Sequence, residues 1–257
     1  MTAQFPAPGL LHALREQQIF AVYQPVADIN MQPLGMELLA RRDYYGYTQQ
    51  PAEFLAGEQS LAAWEALTQF MLDEAVRQIN QSVGGYFTVN IPASLAQGDG
   101  LLPLVRAVLS VLADPQRAGG LILEIDEKID FCRFRQAVVN VAALRQAGVG
   151  VLLDDCFSVS GAPFPALSIP FSGYKLDRGI VWLARHDDKA RRIIMDLAKY
   201  CHQSGRVCIA EGVETGWDLS LLTSMGVSGF QGYLISPPVA EADMRSLALL
   251  PGLKPSV

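Results

Sequence analysis

Strand-like and helix-like stretches alternate along almost the whole chain. That alternation restricts the fold to a mostly parallel sheet wrapped by helices. The pattern predicts strands over 19–27, 34–40, 86–90, 121–125, 148–155, 172–177, 206–211 and 229–233. Helices are expected over 8–18, 60–81, 101–113, 131–147, 187–204, 216–225 and 240–249. The few residues between Ala27 and Leu34 are too short for a helical crossover, so these two strands should run antiparallel. Residues 148–155 (GVGVLLDD) are apolar in the run expected of a strand covered on both faces. Eight strands and this opening hairpin predict an α/β fold, a modified TIM (β/α)8 barrel with an antiparallel first strand. An open doubly wound sheet is the rival. The 257 residues match one barrel, so residues 1–257 read as one domain with a core from about 18 to 245. The segment RRDYYGYTQQPAEF reads as a loop whose three tyrosines can stack on a ligand ring or pack on the rim, with packing the preferred reading.

Seven of these strands end in polar residues: Glu37, Asn90, Glu124, Asp154 with Asp155, Lys175, Glu211 and Gln231. In such barrels the chemistry sits at the C-terminal mouth, built from several strand ends. Each residue has a simple structural explanation by itself. Asn90 can turn the chain before Pro92, Lys175 can pair with Asp177, and Glu211 and Glu214 can complement a helix dipole. All of them in strand-end phase predict one polar centre. Adjacent residues on a regular strand face opposite ways, so Asp154 and Asp155 share a centre only where the strand ends and twists. Two carboxylates so close repel unless a cation lies between them. Carboxylate and amide oxygens suit Mg²⁺ or Mn²⁺. Two such ions can clamp a phosphodiester and activate a water, and a nearby lysine can stabilise developing negative charge.

Composition narrows the rest. Half the residues are hydrophobic and 18% are charged, enough for a large core. Net charge is −6 with no basic run, which argues against duplex nucleic acid as a partner. No apolar run is long enough to span a membrane, and the first residues do not read as a signal peptide. The four cysteines form no CxxC and only three His accompany them, so reduced thiols in a cytoplasmic protein are expected rather than a zinc site.

The strings themselves resemble the EAL domain family of cyclic-di-GMP phosphodiesterases. The family's ExLxR stands here as ELLAR (Glu37, Leu39, Arg41), preceded by Tyr23-Gln24-Pro25. Val89-Asn90, the string EIDE with Glu124 and Glu127, Asp154-Asp155, KLDR from Lys175, EGVE from Glu211 to Glu214, and QGY from Gln231 follow in order. The resemblance covers about residues 18–245. It implies that two ions, Mg²⁺ or Mn²⁺, are bound by Glu37, Asn90, Glu124, Asp154 and Asp155. It implies that Lys175 and Glu211 orient or activate water. It further implies that Gln24, Leu39, Arg41, Glu214 and Gln231 contact the dinucleotide or lie beside the metals, and that Glu127 tethers the loop after Asp155. The implied reaction opens cyclic-di-GMP to linear pGpG, and a homodimer is implied as well. A receptor without turnover and a regulator that acts on an unknown protein partner are the alternatives. One departure stands out. The family's FGTG after DD is replaced by CFSV, so Phe157 and Val159 occupy glycine positions and Gly161, Pro163 and Pro165 follow. Left-handed φ at those positions would make both substitutions costly.

Overall fold

The computed structural model describes residues 9–58, 60–81, 84–158 and 169–247, with residues 245–247 described by backbone alone. Val159, Gly161, Pro163 and Pro165 lie outside the described residues. Nine strands are described: β1 Ile19–Ala27, β2 Pro33–Tyr44, β3 Tyr47–Gln49, β4 Tyr86–Ile91, β5 Leu121–Asp126, β6 Gly150–Cys156, β7 Gly173–Leu176, β8 Val207–Ala210 and β9 Gly229–Phe230. Eight of them close a ring in the order β1-β9-β8-β7-β6-β5-β4-β2, sealed by a β1–β2 pairing. β1 runs antiparallel to both neighbours and every other pair in the ring is parallel. The fold is therefore the expected α/β barrel with a reversed first strand, and the open sheet is excluded.

The segment after Arg41, expected as a loop, is instead a β-hairpin. β2 runs on to Tyr44 and pairs with β3 through Arg42↔Gln49, Asp43↔Thr48 and Tyr44↔Tyr47. Tyr45 and Gly46 both take positive φ (53° and 80°), which a two-residue hairpin turn of matching twist demands. Asp43 Oδ1 accepts the Gly46 N–H at 2.8 Å and fixes the turn. Tyr45 and Tyr47 do not pack on the rim, being 91% and 59% exposed.

Strand periodicity explains the interior. Val26, Leu152 and Ile209 form a buried apolar cluster inside the ring, packed against Leu34, Tyr86 and Ile122. Glycine makes room where a large neighbour crosses. A Cβ on Gly35 would lie 2.3 Å from the Tyr86 ring, and one on Gly173 would lie 2.3 Å from Val207. Two residues further along six of the seven parallel strands the same face changes character. Gly35 leads to Glu37, Ile122 to Glu124, Leu152 to Asp154, Gly173 to Lys175, Ile209 to Glu211 and Gly229 to Gln231. In the reversed β1 the order inverts, so Gln24 precedes Val26 and pairs with Glu37. An apolar floor thus carries a polar layer directly above it.

Helices cover the outside. Leu61–Gln81 buries Leu67, Met71, Leu72, Ala75, Val76 and Ile79, the spacing of one helical face. Asp188–Gln203 does likewise with Ala190, Ile194, Leu197, Ala198 and Cys201. Among the described residues no helix is long and apolar enough to cross a membrane. All four cysteines are free.

Candidate active site

The polar layer is organised around one buried ammonium group. Lys175, 1% exposed, places Nζ 3.1 Å from Glu37, 2.9 Å from Glu124, 3.2 Å from Asp154 and 2.5 Å from Glu211. Burial alone would discharge such a lysine, but the four carboxylates hold its pKa well above the ordinary range. Glu37 is fixed from both sides. Its Oε1 accepts from Asn90 Nδ2 at 2.8 Å, and its Oε2 accepts from Gln231 Nε2 at 2.7 Å and from Lys175. Burial pushes Glu37 up, yet Lys175, Asn90 and Gln231 outweigh it and keep the group ionised below its usual range.

The other acids are not balanced in this way. Burial, with Glu37 and Asp154 nearby, raises Glu124 well above the carboxylate range. Burial, with Asp154 and Glu37, raises Glu211 to about 8 even against Lys175. Burial, then Asp154 and Asp126, raises Asp155 to about 6. Five carboxylates thus crowd a site with a single buried lysine, and the raised pKa values of Glu124, Asp155 and Glu211 follow from that shortfall of positive charge.

Asp154 and Asp155 share a centre because β6 is irregular. Its register against β7 shifts between Leu153 and Cys156, and Asp155 takes φ 56°. Such a break turns two successive side chains toward one side. Carboxylate oxygens of Asp154, Asp155 and Glu211 lie within 4.8 Å of one another. The buried Glu124 Oε1 and Gln231 Oε1 have no hydrogen-bond partner among the described residues. The all-oxygen set, its excess negative charge and the orphaned Glu124 oxygen fit a hard divalent cation such as Mg²⁺ or Mn²⁺. Glu211 joins the two aspartates, whereas Glu37 and Glu124 turn to Lys175 and Asn90 supports Glu37.

A cleft of about 500 Å³ opens beside this centre, lined among others by Gln24, Leu39, Arg41, Glu211, Glu214 and Gln231. Gln24 receives Gln231 Nε2 at 3.4 Å and donates to the Ser236 carbonyl at 3.2 Å. Arg41 is largely buried and donates to the Ala40 carbonyl at 2.8 Å. Glu214 is exposed and lies 3.7 Å from Arg185. Every residue proposed from sequence except Glu127 and the fully enclosed Glu124 and Lys175 therefore lines this opening. Sequence reading missed Arg178, Tyr233 and Pro238, which line it too. Arg178 and Tyr233 are the last residues of KLDR and QGY, which was the available signal, and Pro238 carried none.

Glu127 lies behind the centre. Its carboxylate accepts the Phe157 N–H at 2.9 Å, the Ser158 N–H at 3.1 Å and the Ser158 hydroxyl at 2.6 Å. Phe157 and Ser158 are therefore tied to Glu127, although Phe157 takes φ 66° where the resemblance expects glycine.

Known proteins share both sequence and architecture with this chain. The bifunctional diguanylate cyclase/cyclic di-GMP phosphodiesterase MucR of Pseudomonas aeruginosa is 30% identical over 253 residues, covering 93% of this chain and 36% of MucR. The cyclic di-GMP phosphodiesterase PdeL of Escherichia coli is 32% identical over 120 residues, 46% of this chain and 33% of PdeL. The chain thus matches only about a third of the length of these relatives. The MucR phosphodiesterase in its c-di-GMP complex superposes with a TM-score of 0.81 at 27% identity, covering 91% of this chain and 99% of that one. An EAL domain protein of Listeria monocytogenes gives 0.81 at 26% identity, covering 95% and 98%. With the EAL domain matched over residues 9–238, the chain belongs to the EAL domain family.

Proposed function

We propose that this chain is a metal-dependent cyclic-di-GMP phosphodiesterase that hydrolyses one phosphodiester bond to give linear pGpG. The supporting observation is the convergence of Glu37, Asn90, Glu124, Asp154, Asp155, Lys175 and Glu211 on one mouth, with more acids than one lysine can neutralise. Relatives named as phosphodiesterases of this dinucleotide, and a similar structure in complex with it, support the choice of substrate.

The roles follow from the geometry. Asp154, Asp155 and Glu211, with Glu124, Glu37 and Asn90 behind them, would hold Mg²⁺ or Mn²⁺. Two bound ions would supply Lewis acidity, lowering the pKa of water and neutralising phosphoryl oxygens. Glu211 reaches into the cleft beside Asp154 and Asp155, so once a bound cation offsets their charge its carboxylate would orient the attacking water and take its proton. Lys175 keeps its proton, fixes four carboxylates in place and opposes the negative charge that builds on the phosphoryl group. Arg41 presents a guanidinium to a phosphate, while Gln24, Leu39, Glu214 and Gln231 shape the cleft around the nucleotide.

Chromatography of cyclic-di-GMP incubated with the purified protein tests this reading. Mg²⁺ or Mn²⁺ should yield pGpG, a chelator should stop it, and Glu37→Ala should lower the rate at least about a thousandfold. Binding of the dinucleotide without pGpG over hours would establish a receptor instead.

A further inference from the structure

We propose that Arg178 is a second phosphate-binding guanidinium, set across the mouth from Arg41. This rests on the substrate reading above and extends it. Arg41 rises from β2, and Arg178 follows directly on β7 and its cap residue Asp177. In the ring order β1-β9-β8-β7-β6-β5-β4-β2, strands β7 and β2 stand four places apart among eight, on opposite sides of the barrel. Both arginines line the same cleft of about 500 Å³.

Arg178 is held in place but not neutralised. Asp177 Oδ1 accepts the Gly179 N–H at 2.8 Å and sets the start of the helix that carries Arg178. On the other side Gly212, at φ 66°, lets the chain pass so close that a Cβ there would lie 2.6 Å from Arg178 Cβ. Among the described residues its guanidinium forms no ion pair, although Glu211 and Glu214 line the same cleft. The other cleft arginine, Arg41, is largely buried and bonded to a backbone carbonyl.

A cyclic dinucleotide carries two phosphodiesters on opposite sides of its ring. Two guanidiniums on opposite sides of a mouth match that charge pattern, one for each phosphate. Arg178 stands between β6 and β8, on the side of Asp154, Asp155 and Glu211, and so takes the phosphodiester next to them. Arg41 takes the distal one. A mononucleotide with one phosphate engages only one of the two.

The test is calorimetric titration with cyclic-di-GMP in chelator, where turnover is absent, for wild type, Arg178→Ala, Arg178→Lys and Arg41→Ala, each over a series of salt concentrations. Arg178→Ala should weaken binding about ten- to a hundredfold and flatten the slope of log Kd against log salt, with partial recovery in Arg178→Lys. Guanosine, which has no phosphate, should bind wild type and Arg178→Ala alike. Unchanged affinity and slope in Arg178→Ala, beside a wild type that binds, overturns this inference alone. A wild type that binds no cyclic-di-GMP overturns the substrate reading and the inference with it.

Discussion

The ends of β6 and β8 bring carboxylates to the same point by different backbone means. At β8, Glu211 is followed by Gly212 at φ 66°, a left-handed conformation that glycine adopts without cost. At β6, Asp155 and Phe157 take φ 56° and 66° themselves. Each non-glycine residue in that region costs about 1–2 kcal/mol. The β8 turn is thus built into the sequence, whereas the β6 turn must be held by its surroundings. Glu127 does the holding, through two backbone N–H groups and one hydroxyl. One strand end keeps its shape unaided, and the other depends on a tether and on whatever neutralises Asp155.

The sharpest way to break this contrast is Gly212→Ala. It forces a Cβ into left-handed backbone and against Arg178 Cβ at 2.6 Å. Strain and overpacking together should cost about 3 kcal/mol in urea denaturation. A loss below about 1 kcal/mol would mean that the β8 turn relaxes freely and the two ends do not differ. Glu127→Ala attacks the other end. It removes a buried acceptor from three donors at once, and should cost about 2 kcal/mol because the half-buried loop can recruit water. Hydrolysis should fall as well, since Asp155 loses its support. A stable Glu127→Ala variant would show that Phe157 packing alone maintains the turn.

How much of this was legible in the sequence depends on what each feature rests on. The ring of polar residues was legible because strand periodicity is local: Gly35 to Glu37 and Ile209 to Glu211 are steps of two. The reversed β1 was legible from a short connection. The hairpin after Arg41 was misread because composition outweighed the Asp43–Gly46 turn chemistry. Glu37 consequently looked like a strand end, though β2 continues past it. The break at Asp155 was expected only as a condition for two aspartates to converge, since no local residue type announces a left-handed Asp. Lys175 as the hub of four carboxylates was hidden, because it depends on four strands meeting. Arg178 was hidden for the same reason: its partner across the mouth lies far away in the chain.

The smallest effect separates strain from charge at the β6 end. Asp155→Gly relieves the left-handed backbone and removes one of the crowded acids, so the metal-free variant should be about 1 kcal/mol more stable than wild type. Its pH dependence identifies the source. Asp155 and Glu211 are raised to about 6 and about 8, and Glu124 is raised as well. The native state therefore holds protons that the unfolded chain has released, and the stability they contribute is complete below about pH 4. In chelator, wild-type stability should fall as pH rises from 5 to 9, first through about 6 and then through about 8. Asp155→Gly should lose the first step and keep the second. Glu37 and Asp218, which are lowered, contribute no slope in that window, because they are already ionised in both states. Mg²⁺ or Mn²⁺ should restore wild-type stability at pH 8 by binding the ionised acids, and should restore the variant less. Equal pH profiles for the two proteins would assign the β6 instability to backbone strain alone.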